Sequence, residues 1–166
     1  PSRFREVLGA ANDARLIVTP ALFDPCLHVH PMRAWEAVAP SAVAMMEGWP
    51  TPRALTHGEI EAAVTAFAVA ATRTCHSGFD FVEVHGAHGY LLHQFLSPLS
   101  NHRIDHYGGT LENRMRFPLE VFDAVRAAVP ADLPVGVRIS ATDWVEGGWE
   151  IEQSLELCKA LEARGC

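Results

Sequence analysis

The sequence predicts an α/β fold built on parallel strands, and three observations lead to that prediction. Short apolar runs alternate with longer stretches in which apolar residues recur at helical spacing. The segments follow the order helix, strand, long loop, helix, strand, helix, strand, helix, which is typical of a parallel sheet with right-handed crossovers. With 166 residues, 49% of them hydrophobic, the chain can form one globular domain with its own core. Both a barrel and an open doubly wound sheet satisfy this pattern.

The composition argues against several classes of protein. The net charge of -7 comes without a basic run, which does not suit a nucleic-acid binder. Four widely spaced cysteines form no C-x-x-C pair, which disfavours a disulfide framework and a structural zinc site. No apolar run reaches the roughly 18 residues of a membrane span, and the first residues lack the apolar core of a signal peptide. We therefore expect a cytoplasmic protein with no nucleic-acid or membrane partner.

The N-terminal third of the chain begins as a helix and becomes irregular. Residues 3–11 place apolar side chains on one helical face, and residues 16–18 form a short apolar run that predicts a strand. Residues 20–55 hold six of the eleven prolines and no sustained period, so they predict an irregular loop, either functional or damaged. Three side chains there have no partner pattern and receive no role: Cys26, His28 and His30.

A helix and then a strand follow this loop. Thr56 and Glu59 fit a capping box, which predicts a helix beginning there, and Ser77-Gly78 ends its apolar pattern. Residues 79–84 are short and largely apolar, as expected for a parallel strand covered on both faces.

The C-terminal half repeats this alternation. Thr110 can cap a helix that Pro130 ends and that Pro118 either kinks or restarts. Residues 134–140 predict a strand, followed by the acidic loop DWVEGGW, and residues 151–163 predict a helix. The apolar residues expected to face inward from that last helix are Leu155, Cys158 and Leu161. Before the Thr110 helix, Tyr107-Gly108-Gly109 predicts a turn that needs positive φ or close backbone approach.

Two charged residues are expected on strand faces that point into the interior. Side chains alternate along a strand, so Phe81, Glu83 and His85 share one face. Gly136, Arg138 and Ser140 share a face on the later strand in the same way. A buried charge is costly without a partner. Glu83 and Arg138 are therefore predicted to pair with each other or with a ligand, although an ion pair with no functional role would satisfy the same rule.

The end of the first of these strands carries candidate catalytic residues. His85 and His88 can each present an N–H toward one oxygen that becomes negative during a reaction, and Tyr90 can act as a general acid. The alternative is a pair of satisfied loop histidines beside a tyrosine that only packs. A metal site is a further alternative, because imidazole suits zinc, but the spacing is not that of the H-E-x-x-H signature. The remaining histidines of the run near Asp105 are interpreted as surface groups: His93, His102 and His106.

Long motifs add a family resemblance to this interpretation. HGAHGYLLHQFLSPLSN, then R-x-D-x-YGG-x-x-ENR-x-RF, and then VRISATDWVEGG closely resemble the Old Yellow Enzyme family of FMN-dependent NAD(P)H:flavin oxidoreductases. The H-x-x-H form resembles its YqjM-like, thermophilic-type branch. The match is specific over residues 55–165 and extends weakly to residue 39.

The resemblance implies a (β/α)8 barrel with FMN at its C-terminal mouth. Such a barrel needs roughly 250 residues, so this chain would hold about three or four βα units, an incomplete TIM barrel. It would form one partial domain over residues 1–166, with the active-site strand, loop and helix start at 79–117. NAD(P)H would reduce FMN, and hydride would pass to the β-carbon of an alkene conjugated to a carbonyl or nitro group.

Site roles follow from the same resemblance. His85 and His88 would bind the substrate oxygen, and Tyr90 would protonate the α-carbon. Arg138 would face the N1/C2-oxygen side of the flavin and stabilise negative charge there. The activated alkene is the expected small-molecule partner, and a homo-oligomer is left open.

Departures from the family pattern keep alternatives open. The segment TPALFDPCLHVHPMR lacks the expected flavin-contacting Gln and basic residue, and Cys26 is not the family's active-site cysteine. The first strand and the late phosphate-binding loops are not found in this sequence. The chain is therefore either a piece of a catalytic ene-reductase or a noncatalytic remnant that does not retain FMN. A metal-dependent hydrolase is a third, more distant reading.

Overall fold

Parallel strands with intervening helices make up the described part of the chain. The computed structural model describes residues 21–22 and 37–166. In chain order the elements are β1 Ala21–Leu22, β2 Val38–Ala39, β3 Arg53–Ala54, α1 His57–His76, β4 Val82–Gly86, α2 Leu91–Leu96, α3 Leu111–Ala128, β5 Val135–Ile139 and α4 Ile151–Glu162. The helix predicted at 3–11, the strand predicted at 16–18 and the loop residues Cys26, His28 and His30 lie outside the described residues.

The main sheet has three parallel strands with β4 at its centre. β1 pairs with β4 on one side, and β5 pairs with β4 on the other over all five residues of each strand. Helices α2 and α3 connect β4 to β5, as a parallel crossover requires. The predicted α/β class with parallel strands is confirmed. Strand β4 begins at Val82 rather than Phe79, because its pairing with β5 starts there: Val82 pairs with Val135, and Val82 N donates to Pro134 O (3.1 Å).

The prediction of a wholly irregular segment over residues 20–55 is wrong at three places. Strands β1, β2 and β3 all lie within it, and β2 pairs with β3 in parallel. Strands of two residues are too short to produce a readable alternation. Tertiary contacts hold β2 and β3 together, since Arg103 Nη1 donates to Pro40 O (3.0 Å) and to Leu55 O (2.7 Å).

Helix α1 begins and ends as predicted. The hydroxyl of Thr56 accepts from Glu59 N, and the Glu59 carboxylate accepts from Thr56 N at 2.8 Å, which completes the capping box. The helix ends at Ser77, and Gly78 follows with φ of +85°, a conformation that favours glycine. The helix packs against α3, and its buried residues are Ile60, Phe67 and Ala71.

Helix α3 carries much of the apolar core. Thr110 caps its start, and the helix runs through Pro118 without restarting, so the restart alternative is excluded. Ahead of it, both reasons for the Gly-Gly turn are confirmed: Gly109 has φ of +78°, and a Cβ on Gly108 would lie 2.3 Å from Arg103 O. The largest fully buried side chains come mainly from α2 and α3 and include Phe95, Phe117 and Phe122, and Trp149 is added from the segment just before α4.

The face that α4 turns inward differs from the prediction. Ser154, Leu157 and Leu161 are buried, whereas Leu155 is 55% exposed and Cys158 is exposed. A buried hydrogen bond fixes this rotation, because Trp149 Nε1 donates to Ser154 Oγ (2.7 Å). Apolar periodicity alone could not distinguish the two faces, since Leu161 belongs to both patterns. In the described residues, no helix combines the length and apolar character needed to cross a bilayer.

Two leucines on α4 provide a matched test of this rotation. Leu157→Ala, at 1% exposure, should lower the free energy of unfolding by about 2–5 kcal/mol, because it removes buried methylene groups and leaves a cavity. Leu155→Ala should cost less than about 1 kcal/mol. Urea denaturation of the two variants measures the difference. Equal losses would contradict the assigned face.

Candidate active site

The register of β4 against β5 decides which side chains share a face. Val82 and Val84 are buried on one face of β4, and Glu83 and His85 lie on the other. His85 pairs directly with Arg138, and Glu83 pairs with Gly136. Paired residues of parallel strands point to the same side, so Glu83, His85 and Arg138 share one surface of the sheet, and His85 and Arg138 lie toward the C-terminal ends of their strands. The faces assigned to these residues by alternation are thereby confirmed.

The predicted pairing of Glu83 with Arg138 is present, but the pair is not buried. Arg138 Nε donates to Glu83 Oε1 at 2.7 Å. The arginine side chain is 53% exposed, so the expectation that it is enclosed between buried strands is wrong for this structure. The face of the sheet that carries it is open to solvent. The hydrogen bond that Arg138 donates to the Glu83 carboxylate raises the pKa of Arg138 above its ordinary value, so its cationic form is favoured.

His85, His88 and Tyr90 meet at the end of β4. The His85 ring centroid lies 5.0 Å from that of His88 and 5.2 Å from that of Tyr90, and both contacts are edge-on. His85 Nδ1 accepts a hydrogen bond from Ala87 N (3.3 Å), so the neutral ring carries its proton on Nε2. Burial lowers the pKa of His85, which favours that neutral form. The three side chains therefore form one cluster at the end of β4.

The conformation of His88 is unusual. It has φ of +60°, a left-handed conformation that is unfavourable for a residue with a Cβ, and Gly89 follows with φ of +74°. The amide of His88 donates to Ser140 Oγ (2.9 Å), at the end of β5. The loop that carries the site is thus attached to the neighbouring strand. Sequence reasoning had not identified this role of Ser140.

His93 is not the surface group that the sequence suggested. Its side chain is buried, Nδ1 accepts from Gly89 N (2.8 Å), and Nε2 lies 2.9 Å from Asp143 Oδ1. The carboxylate oxygen is off the N–H direction of the ring, so this contact is electrostatic rather than a linear hydrogen bond. The sequence did not predict α2, because six residues are too few for a periodic signal. Without that helix, nothing in the sequence indicated that the side chain of His93 folds back onto the amide of Gly89, four residues earlier.

The other histidines near Asp105 lie on the surface, as expected. His102 and His106 are exposed, and the His106 ring lies 4.5 Å from that of His57. Asp105 is engaged by Arg103, whose hydrogen bonds lower the pKa of the carboxyl to about 2. Across residues 37–166, no three His, Cys, Asp or Glu side chains are arranged to hold a metal ion.

Comparison with known proteins places this chain in a family. The family model described as NADH:flavin oxidoreductase / NADH oxidase matches residues 28–165. The chain belongs to this family. The resemblance to the Old Yellow Enzyme family is confirmed by a solved Old Yellow Enzyme homologue from Zymomonas mobilis, which matches with a TM-score of 0.82 and 29% identity over 97% of this chain.

Two further relatives agree with this membership. An NADH:flavin oxidoreductase of Gibberella zeae is 47% identical over 139 residues, which is 77% of this chain and 34% of the relative. Morphinone reductase, solved in complex with tetrahydroNAD, has a TM-score of 0.70 and 38% identity over 78% of this chain. The chain spans about a third of that curated relative, 40% of the morphinone reductase chain and 49% of the Zymomonas chain.

The burial of His93 predicts a pH dependence of stability. Burial lowers its pKa from the ordinary value of 6.5, with help from His88 and against the opposing effect of Asp143. The unfolded chain therefore binds a proton more readily, and this contribution to stability is present above pH 6.5 and is lost as the pH falls below it. His93→Gln should flatten the change in unfolding free energy between about pH 7.5 and 5.5.

Urea denaturation at a series of pH values measures this slope. His102→Gln, at an exposed position, should leave the slope unchanged. An NMR titration in which His93 protonates at or above 6.5 would contradict the assignment.

Proposed function

We propose that this chain belongs to an FMN-dependent NAD(P)H oxidoreductase of the ene-reductase type. Its substrate class is an alkene conjugated to a carbonyl or nitro group. The observation that carries the proposal is the convergence of His85, His88 and Tyr90 beside Arg138 at the ends of two parallel strands. Family membership and the nicotinamide analogue named for morphinone reductase support the same redox class.

The residues present fit a flavin on this face of the sheet. Arg138 offers an exposed guanidinium, and in residues 37–166 its hydrogen bonding is confined to Nε, which leaves the Nη donors available. A fixed cation suits the N1/C2-oxygen side of an isoalloxazine ring, where reduction places negative charge. FMN, when bound, would supply hydride transfer between NAD(P)H and the alkene. Glu83 orients the guanidinium through Nε and helps to keep it charged.

His85, His88 and Tyr90 have separate roles in the reduction of the alkene. When the β-carbon of the alkene gains hydride, negative charge moves to the carbonyl or nitro oxygen. His85, neutral and protonated at Nε2, can donate a hydrogen bond to that oxygen, and His88 is placed beside it to do the same. The hydroxyl of Tyr90 can then deliver a proton to the α-carbon. The product is the saturated compound.

The described strands fit into a larger barrel under this proposal. A parallel sheet with catalytic residues at the strand C-termini is the arrangement of a (β/α)8 barrel, and this chain would contribute about three or four of its βα units. The open face that carries Arg138 would become the barrel interior. A cytoplasmic location is part of the same proposal, and the oligomeric state is left open.

Flavin retention tests the cofactor assignment. The purified protein, incubated with FMN and freed of excess flavin, should keep a visible flavin spectrum, since Arg138 supplies a fixed positive charge. Arg138→Met should weaken flavin binding about tenfold or more, because a charge-assisted contact is lost. Absorbance of the protein fraction after gel filtration measures both. A colourless wild-type protein would support the noncatalytic alternative instead.

Kinetics separate the roles of the loop residues. His85→Ala or His88→Ala should lower enone reduction on the order of 100-fold with flavin still bound, because a donor to the developing negative charge is lost. Tyr90→Phe should slow alkene reduction more than flavin reduction. Stopped-flow measurement of the two half-reactions tests both expectations, with the exposed His102→Ala as control. Unchanged enone turnover in the histidine variants would refute their role.

A further inference from the structure

The loop between β4 and α2 is held by hydrogen bonds at four consecutive amides. Each backbone N–H from residue 87 to residue 90 has an acceptor. The acceptors, in order, are His85 Nδ1 (3.3 Å), Ser140 Oγ (2.9 Å), His93 Nδ1 (2.8 Å) and Ala87 O (3.2 Å). Two of these amides belong to His88 and Tyr90 themselves. The geometry of the site is therefore set by acceptors around this loop.

The loop needs this support because its backbone is strained. His88 and Gly89 both have positive φ, and only the glycine adopts such a conformation without penalty. A residue held in this region relaxes unless its surroundings prevent it. Relaxation at His88 would change the position of its ring, which now lies 5.0 Å from that of His85.

Both backbone polar groups of Gly89 form hydrogen bonds with side chains of the first turn of α2. Its N–H donates to His93 Nδ1, and its carbonyl accepts from Gln94 Nε2 at 2.8 Å. Gly89 lies between His88 and Tyr90, so fixing it constrains both. His93 is the buried member of this pair of contacts.

His93 can accept from Gly89 in only one neutral tautomer. Nδ1 must be unprotonated, so the ring proton must lie on Nε2. Asp143 enforces that choice, because Oδ1 lies 2.9 Å from Nε2 and two electron-rich atoms would repel at that distance. Asp143 is itself immobilised, since Oδ2 accepts from Ser97 Oγ (2.6 Å) and from Trp149 N (2.7 Å).

We propose that His93, with its tautomer set by Asp143, is a positioning residue that holds His88 and Tyr90 in their working arrangement through the amide of Gly89. The proposal rests on the alkene-reducing function proposed above. It assigns neither His93 nor Asp143 any contact with substrate or flavin.

Two substitutions of His93 separate its two contacts. Asn places an amide oxygen close to the position of Nδ1 and can still accept from Gly89, but it does not reach Asp143. Gln reaches toward Asp143 with its amide nitrogen and leaves the Gly89 amide without an acceptor. His93→Asn should therefore preserve the loop better than His93→Gln. The same two substitutions at exposed His102 are the controls.

Asp143→Asn tests the tautomer directly. Trp149 N can only donate, so the new amide should place its oxygen at the Oδ2 position and its NH₂ toward His93. Nε2 of His93 would then accept from this NH₂ group, and the ring proton would move to Nδ1. Because Nδ1 could no longer accept, the hydrogen bond from Gly89 N would be lost. In the wild-type protein, imidazole ¹⁵N shifts should show His93 neutral with the proton on Nε2, and this spectrum needs no variant. In Asp143→Asn, the proton should appear on Nδ1.

Amide hydrogen exchange measures the effect on the loop. Gly89 should exchange about tenfold faster in His93→Gln and Asp143→Asn, as expected for the loss of one hydrogen bond, and within about threefold of wild type in His93→Asn. Amides of β4 should be unchanged, which excludes general unfolding. In the FMN-loaded protein, His93→Gln and Asp143→Asn should lower the rate of alkene reduction on the order of 10-fold with little change in flavin reduction. His93→Asn should keep most of the wild-type rate of alkene reduction.

These measurements distinguish the failure of the inference from the failure of the proposed function. If the protein reduces no alkene, but the ¹⁵N spectrum of His93 and the hydrogen exchange of Gly89 are as described, the proposed function is wrong and the positioning role of His93 in the loop is supported. A wild-type His93 protonated at Nδ1, or equal Gly89 exchange in His93→Asn and His93→Gln, overturns the inference. Loss of alkene reduction to the same extent in both His93 variants would also overturn it.

Discussion

The parallel pairing of β4 with β5 is the constraint on which the rest of the described structure depends. Its register directs Val82 and Val84 into the helical core and sets His85 beside Arg138 on the opposite face. Because side chains alternate along a strand, a slip of one residue would exchange the two sets. Gly86 is the last residue of β4, and a Cβ on it would lie 3.1 Å from Arg138 O. Glycine therefore lets β4 and β5 approach closely just before the loop that carries His88 and Tyr90.

Two arginines, the buried Arg114 and the partly buried Arg103, secure the long connection that follows α2. Arg114 donates from Nε to Leu96 O (2.8 Å) and from Nη2 to Gln153 Oε1 (2.9 Å), which joins α2, α3 and α4. Arg103 donates to the carbonyls of Pro40 and Leu55, which directly follow β2 and β3, and it also binds Asp105. Backbone carbonyls without partners would be costly in a buried loop, and a guanidinium can satisfy several of them at once. The connection over 97–109 is therefore ordered although it contains neither helix nor strand.

The loop after β4 combines strain with dense support. His88 is held in an unfavourable conformation by contacts from β5, from α2 and, through His93, from the loop after β5. Such strain persists only where the surroundings fix it, and it commonly marks functional positions. Asp143 shows how one carboxylate links these parts: it accepts from Ser97 and Trp149 while it faces the buried His93. The donors proposed to act on substrate are thus attached to a network that extends well beyond them.

The sequence by itself determined the features that depend on local chemistry. The capping box at Thr56, the cap at Thr110, the Gly-Gly turn and the alternation that groups Glu83 with His85 all follow from the preferences of neighbouring residues. The motif around His85, His88 and Tyr90 was specific enough to identify the family. Only the tertiary structure decided which face of α4 is buried, that Arg138 is exposed, and that His93 is enclosed between Gly89 and Asp143. Those outcomes depend on contacts between residues that are distant in the chain, such as Ser154 with Trp149 and His93 with Asp143, and no local pattern encodes a distance between them.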